Sequence, residues 1–105
     1  LEIQRDLFLT GSQIILNNIN TSRTTNMGSM FGFNHKLTSI QGLSKFNTSK
    51  VKSMVNMFNS CSNLTTLDLS NFDTSNVTDM YGMFWGCRSL TTLDLSSFNT
   101  SKVAI

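Results

Sequence analysis

Charged side chains make up only 13% of the 105 residues, and 8 basic against 6 acidic groups leave a formal net charge of +2. So sparse a balance argues against nucleic-acid binding, which needs a dense basic patch to meet the phosphates. No apolar run approaches the roughly 18 residues that a membrane helix requires. The opening Leu1-Glu2-Ile3-Gln4-Arg5-Asp6 lacks the charged-then-apolar order of a signal segment, so an exported form is expected to have lost its signal. Histidine occurs once and cysteine twice. Cys61, Cys87 and His35 do not supply the four converging ligands of a zinc site. Nor do one histidine and six carboxylates assemble a nucleophile, a base and an orienting group. The expectation is a chain that is not an enzyme and carries no cofactor.

What is abundant is serine, threonine and asparagine, 40 of the 105 residues. The 39% of hydrophobic residues is nevertheless too high and too regularly placed for a disordered tract. At 11.7 kDa the chain has room for one small domain with a polar surface.

The regularity is a repeat. Leu64-Thr65-Thr66-Leu67-Asp68-Leu69-Ser70-Asn71-Phe72-Asp73-Thr74-Ser75-Asn76-Val77 returns 26 residues later as Leu90-Thr91-Thr92-Leu93-Asp94-Leu95-Ser96-Ser97-Phe98-Asn99-Thr100-Ser101-Lys102-Val103. The stretch from Leu37 through Phe46-Asn47-Thr48-Ser49-Lys50-Val51 is the same unit with one extra residue near Gly42, and a worn copy runs from Gly11 through Ile14, Leu16 and Ile19 to Asn20-Thr21-Ser22. All six methionines fall in two columns, Met27/Met54/Met80 and Met30/Met57/Met83, followed by Phe31/Phe58/Phe84 and then Cys61/Cys87. The boundaries are coils at 11–36, 37–63 and 64–89 and a half coil at 90–105. Residues 1–10 form an N-terminal cap or the tail of a preceding segment.

Within a unit, Val77, Met80, Met83, Phe84 and Cys87 are spaced as the apolar stripe of a short helix. Leu67 and Leu69 have the period-two spacing of a strand, with Thr66, Asp68 and Ser70 on its other face. The Asn/Asp-Thr-Ser triplet between them offers short oxygen-bearing side chains to cap a helix start, and Gly86 suits the turn back toward the next strand.

The L-x-x-L-x-L frame and the period of 26 resemble a leucine-rich repeat. More closely, the run from Leu64 to Phe84 is similar to the 26-residue repeat of the BspA-like bacterial surface proteins, and the resemblance extends from about Gly11 to Val103. It implies an α/β repeat: a right-handed, leucine-rich-repeat-like solenoid of about 26 residues per coil, each a short parallel strand plus a short helix. It also implies an extracellular module, lipid-anchored or wall-anchored in the full-length protein, with an adhesive role and a host matrix protein among the expected ligands. The first copy departs from the pattern, with Gly11 in place of a leucine and Ile15 where later coils carry Asp68 and Asp94.

Each chemically interesting residue has a plain structural reading beside its functional one. Cys61 and Cys87 sit at one phase of adjacent helices about 8–10 Å apart, beyond disulfide reach of about 4.4–6.8 Å, and are expected as buried free thiols. The methionine and phenylalanine columns are expected to be core, because coils that stack turn identical apolar side chains inward. Arg23, Lys50 and Lys102 form a basic column that reads as a solvated rim or as an attraction for an acidic partner. Asn20, Asn47, Asn63, Asn76 and Asn99 open N-x-Ser/Thr sequons that arise mostly from the repeat itself. The candidate partner-binding residues are Thr66, Asp68, Ser70, Thr92, Asp94 and Ser96 on the outward strand face, with Trp85, one residue past an inward phenylalanine, as an exposed anchor.

Two readings follow. The first is a non-enzymatic surface module that binds a protein or glycan through its strand face, without nucleic-acid binding or membrane insertion. The second is a structural spacer, stalk or lattice element; the identity of Thr66-Asp68-Ser70 and Thr92-Asp94-Ser96 favours either that or a repetitive ligand. The half-built last coil adds the expectation of either a fragment of a longer array or an edge completed against another molecule, with self-association through the open C-terminal edge.

Overall fold

The computed structural model describes residues 7–10 and 12–104. Strand β1 (Leu7–Thr10) pairs antiparallel with β2 (Gln13–Leu16), and β2 pairs parallel with β3 (Ser39–Gln41) in the order β1-β2-β3. The register of the parallel pair, Gln13 opposite Ser39 and Ile14 opposite Ile40, is the 26-residue repeat expressed as hydrogen bonding. Of the segment 1–10, residues 1–6 lie outside the described residues, as do Gly11 and Ile105.

Among the described residues there is no α-helix, which corrects the short helix expected in each coil. The Met/Phe segments are instead chains of tight turns. In the second repeat Met57 N–H donates to the Met54 carbonyl, Asn59 to Asn56 and Cys61 to Phe58. The amides between them reach forward into the third repeat: Met54 donates to Asp79, Asn56 to Tyr81, Phe58 to Met83 and Ser60 to Trp85, at 3.0, 2.9, 2.9 and 2.6 Å. The first repeat does the same, with Met27, Ser29, Phe31 and Phe33 donating to Ser53, Val55, Met57 and Asn59. Alternate amides therefore serve the turn and the neighbouring repeat, whereas a helix would spend nearly all of them within itself.

Backbone handedness enforces the choice. Ser29, Asn56 and Gly82 occupy one column with φ of 57°, 57° and 65°, and Phe33, Ser60 and Gly86 a second with 65°, 60° and 76°. Each is the third residue of a turn, where a positive φ is the mark of type II geometry. A left-handed residue every four positions stops a right-handed helix from propagating. The apolar spacing could not separate the two structures, since four-residue turns and a 3.6-residue helix both return a side chain to one face after three or four positions.

The strand half of the unit is also shorter than the pattern predicts. Residues equivalent to β3 in the third and fourth repeats, around Leu67 and Leu93, are not strands. Asp68 Oδ1 accepts hydrogen bonds from Ser70 N–H at 3.0 Å and Ser70 Oγ at 2.7 Å, and Asp94 Oδ1 accepts from Ser96 N–H at 2.9 Å. These local turns compete with a ladder for the backbone. The equivalent position in the second repeat is Gln41, and there the strand forms. The extra residue is Gly42, whose φ of 99° opens a short 3-10 turn at Leu43–Lys45.

The core lies between these two halves. Met27, Met54, Met57, Phe58, Cys61 and Leu64 are fully enclosed, with Phe31, Phe46 and Phe72 beside them. The Phe31, Phe58 and Phe84 rings stack along the repeat axis with centroids 5.6 and 5.8 Å apart and planes within 9° and 4°. Phe72 and Phe98 form a parallel stack at 6.5 Å. Met80 is only half-buried, unlike Met54 above it in the same column.

Three threonines join the rungs. The Asn/Asp-Thr-Ser triplets cap no helix. Instead Thr21, Thr48 and Thr74 are buried, and each clamps the next repeat twice. Thr48 Oγ1 donates to the Asp73 carbonyl at 3.0 Å and accepts from Asp73 N–H at 2.8 Å. Thr21 holds Asn47 and Thr74 holds Asn99 in the same way. The preceding Asn or Asp turns outward and ties the following serine, as Asn47 does with Ser49 N–H and Oγ.

Replacing Thr48 with valine removes both bonds from a part-buried crossing and leaves the Asp73 N–H and carbonyl without that partner, so the expected loss is about 1–3 kcal/mol. Thr48→Ser should recover most of it. Thr100, exposed in the last repeat, should tolerate valine within about 0.5 kcal/mol. Urea unfolding of the three variants checks this, and equal losses for Thr48→Val and Thr100→Val would contradict the clamp.

Candidate functional site

The strand-side residues Thr66, Asp68, Ser70, Thr92, Asp94 and Ser96 are all exposed. Their carboxylates, however, are engaged at home. The Ser70 and Ser96 hydrogen bonds described above hold the Asp68 and Asp94 carboxyls below the usual range, and Asp73 is lowered in the same manner by Ser75. The identical Asp and Ser in the two repeats therefore have a local conformational role, independent of any ligand.

Trp85 is 71% exposed and does not join that face. The turn ladder carries it, through Ser60 N–H donating to its carbonyl, to the side where the turns meet solvent. There it lines a groove of about 320 Å³ with His35, Ser60, Ser62, Gly86 and Arg88, contributed by three successive repeats. Asn63 Nδ2 donates to the His35 carbonyl at 2.6 Å and Ser89 Oγ to the Ser62 carbonyl at 2.6 Å, so the rim is tied from rung to rung. Gly86 forms part of the wall, where an added Cβ would press to 3.3 Å from Ser60. On its other flank Trp85 lines an apolar hollow of about 360 Å³ with Met80, Met83, Phe84, Leu95 and Phe98.

The sequence reading missed this groove. His35, Ser62 and Arg88 share one column, and Gly32, Asn59 and Trp85 share another, at steps of 27 and 26. A signal existed in the sequence: these columns change from repeat to repeat while the Met, Phe and Thr columns do not.

The two cysteines serve the stack. Cys61 Sγ donates to the Phe31 carbonyl at 3.1 Å and Cys87 Sγ to the Phe58 carbonyl at 3.0 Å, each one repeat back. Both are free thiols, Cys61 buried and Cys87 half-buried. Burial pushes the Cys61 thiol up to about 11 and also raises that of Cys87. Among the described residues no three His, Cys, Asp or Glu side chains cluster as metal ligands, and no helix is long and apolar enough to cross a membrane.

Compared with known proteins, residues 5–105 match the model of a family described as "Mycoplasma protein of unknown function, DUF285". No curated protein and no solved structure shows significant similarity to the chain.

Two measurements follow from these environments. At pH 8 Cys61 should resist alkylation until the protein unfolds, with Cys87 reacting slowly, because the protonated thiol is a poor nucleophile. Mass spectrometry after timed labelling reads both sites, and rapid modification of Cys61 in the folded state would contradict its burial. The depressed carboxyls contribute stability that is present above their unfolded value of about 3.9 and lost as pH falls through the lower folded value. Changing Asp68, Asp73 and Asp94 together to asparagine, which occupies the Asp73 column as Asn20, Asn47 and Asn99, should flatten the acid side of a melting-temperature profile between pH 2 and 5. An unchanged acid limb would contradict this.

Proposed function

We propose, from the premise that the chain belongs to the DUF285 family, that it is a non-enzymatic interaction module of a bacterial surface protein. In this reading the stacked units form a right-handed leucine-rich-repeat-like solenoid of the BspA-like kind. The full-length protein is lipid-anchored or wall-anchored outside the cell, and the ligand is a protein or glycan such as a host matrix component. The inter-repeat hydrogen bonds offset by 25 to 27 residues support the solenoid, since each repeat then completes only its neighbours.

One observation carries the binding role. Phe33, Tyr81 and Trp85 are 54%, 65% and 71% exposed on the turn segments, on a surface otherwise dominated by serine, threonine and asparagine. Stacking does not require them, because their columns hold Ser60 and Gly86, Gly28 and Val55, and Gly32 and Asn59 in the other repeats. Large aromatics exposed without a packing reason are the residue types that anchor ligands. Thr66, Asp68, Ser70, Thr92, Asp94 and Ser96 extend the presented surface along the strand side. The spacer reading draws on the identity of those strand-side residues, but their Asx turns account for the Asp and Ser without reference to length or lattice.

The test is binding of the labelled chain to immobilised matrix proteins and a glycan array, beside a Phe33→Ser/Tyr81→Ser/Trp85→Ser variant checked for an unchanged melting temperature. Saturable binding by the parent that falls at least tenfold in the variant is expected. Equal binding by both would remove the aromatic face from the proposal, and no saturable binding by either would favour the spacer. Surface display is checked by protease accessibility of the full-length protein on intact cells.

A further inference from the structure

We propose that the groove lined by His35, Ser60, Ser62, Trp85, Gly86 and Arg88 is a binding site for an acidic sugar, a pyranose ring bearing a carboxylate or a sulfate. The inference rests on the interaction-module reading and names the chemistry of one site within it.

Four features of the groove point to that ligand. Its volume of about 320 Å³ lies at the lower end for small-molecule sites, which suits one or two sugar rings. Its only large apolar side chain is an indole at the edge, 71% exposed. An indole face accepts the polarised C–H face of a pyranose, whereas a peptide anchor calls for an enclosed apolar socket. The Ser62 hydroxyl and the His35 imidazole can each donate and accept, and the Ser60 hydroxyl, whose proton is held by Asn59 Oδ1 at 2.6 Å, adds an acceptor, matching the hydroxyl groups around a sugar. Arg88 supplies a guanidinium fork suited to two oxygens of one carboxylate or sulfate, and no carboxylate lines the groove to occupy it.

The construction also separates this site from the repetitive scaffold. It spans three repeats, drawing one residue from the first, two from the second and three from the third. Each chemically distinct group stands where the other repeats hold something else: Arg88 replaces Ser62 and His35 in its column, and Trp85 replaces Asn59 and Gly32. The ladder bonds from Ser60 N–H to the Trp85 carbonyl and from Phe58 N–H to the Met83 carbonyl fix the rungs beneath it. The groove is thus set before any ligand arrives, which limits the ordering cost of binding.

Trp85 is the chain's single tryptophan, so intrinsic fluorescence reports on the groove and on the apolar hollow at its other flank, and the Arg88→Gln variant below assigns a response to the groove. The chain is titrated with a glucuronate-containing tetrasaccharide, a sulfated uronate-free tetrasaccharide, the neutral cellotetraose, and sodium sulfate at matched ionic strength. The expected result is a saturable change in Trp85 emission with one or both acidic sugars, at least tenfold weaker with cellotetraose and absent with sulfate. The two acidic arms distinguish carboxylate from sulfate as the recognised group. Arg88→Gln should weaken binding at least tenfold, while Arg23→Gln, which removes the same charge from the basic column, should change it less than twofold. No saturable change with either acidic sugar overturns the proposal, as does an equal response to cellotetraose. A response to sulfate alone, or equal losses in the two arginine variants, reduces it to general attraction by a chain of net charge +2 and overturns it as well. If the chain binds a matrix protein saturably while neither acidic sugar changes Trp85 emission, the sugar site falls and the interaction module stands. If neither assay saturates, both fall.

Discussion

The turn segments depend on a neighbouring repeat for the backbone hydrogen bonds that their own turns do not make. In the turn segments alternate N–H groups close their own turn and the others cross to the next rung, and the buried threonines add a donor and an acceptor at each crossing. A single unit would leave those groups unpaired, at about 1–3 kcal/mol for each that is buried. The fold is therefore cooperative along its axis, and the columns repeat because each rung presents the next with the same set of unmet bonds.

That constraint accounts for which columns are uniform. Phenylalanine recurs at 31, 58 and 84 because the rings stack face to face at 5.6–5.8 Å. Threonine recurs at 21, 48 and 74 because one hydroxyl must both donate and accept between rungs. Cysteine at 61 and 87 is a small buried side chain with a weak donor aimed at a phenylalanine carbonyl. Asn34 stands in the same column and uses its amide for the same carbonyl, Phe31. The left-handed columns accept serine, asparagine, glycine and even phenylalanine. The cost of a positive φ in a non-glycine residue, about 1–2 kcal/mol, is offset by the ladder bonds that the turn makes possible.

Freedom from that constraint marks out the remaining surface. Some outward side chains of the turn segments still tie rungs, as Asn63 and Ser89 do, whereas at other outward positions the chain places a tryptophan, a tyrosine, an arginine and a histidine. The proposed binding roles rest on this contrast between uniform and varied columns. On the strand side uniformity persists for a local reason, since aspartate followed two residues later by serine closes an Asx turn.

The sequence alone determined the period, the phase of the apolar columns and the inward direction of the methionines and phenylalanines, because burial against an identical neighbour leaves an identical residue as its trace. It also placed an extra residue near Gly42 and free thiols in the stack. It did not determine that the Met/Phe segment is a succession of turns, since helix and turn ladder share a spacing of three to four. Nor did it show that the Asn/Asp-Thr-Ser triplet joins rungs, because the acceptor of each threonine lies 25 or 26 residues away. The groove at Trp85 was decided only by tertiary structure: His35, Ser60 and Arg88 are remote in the chain and become neighbours only when three rungs stack in register.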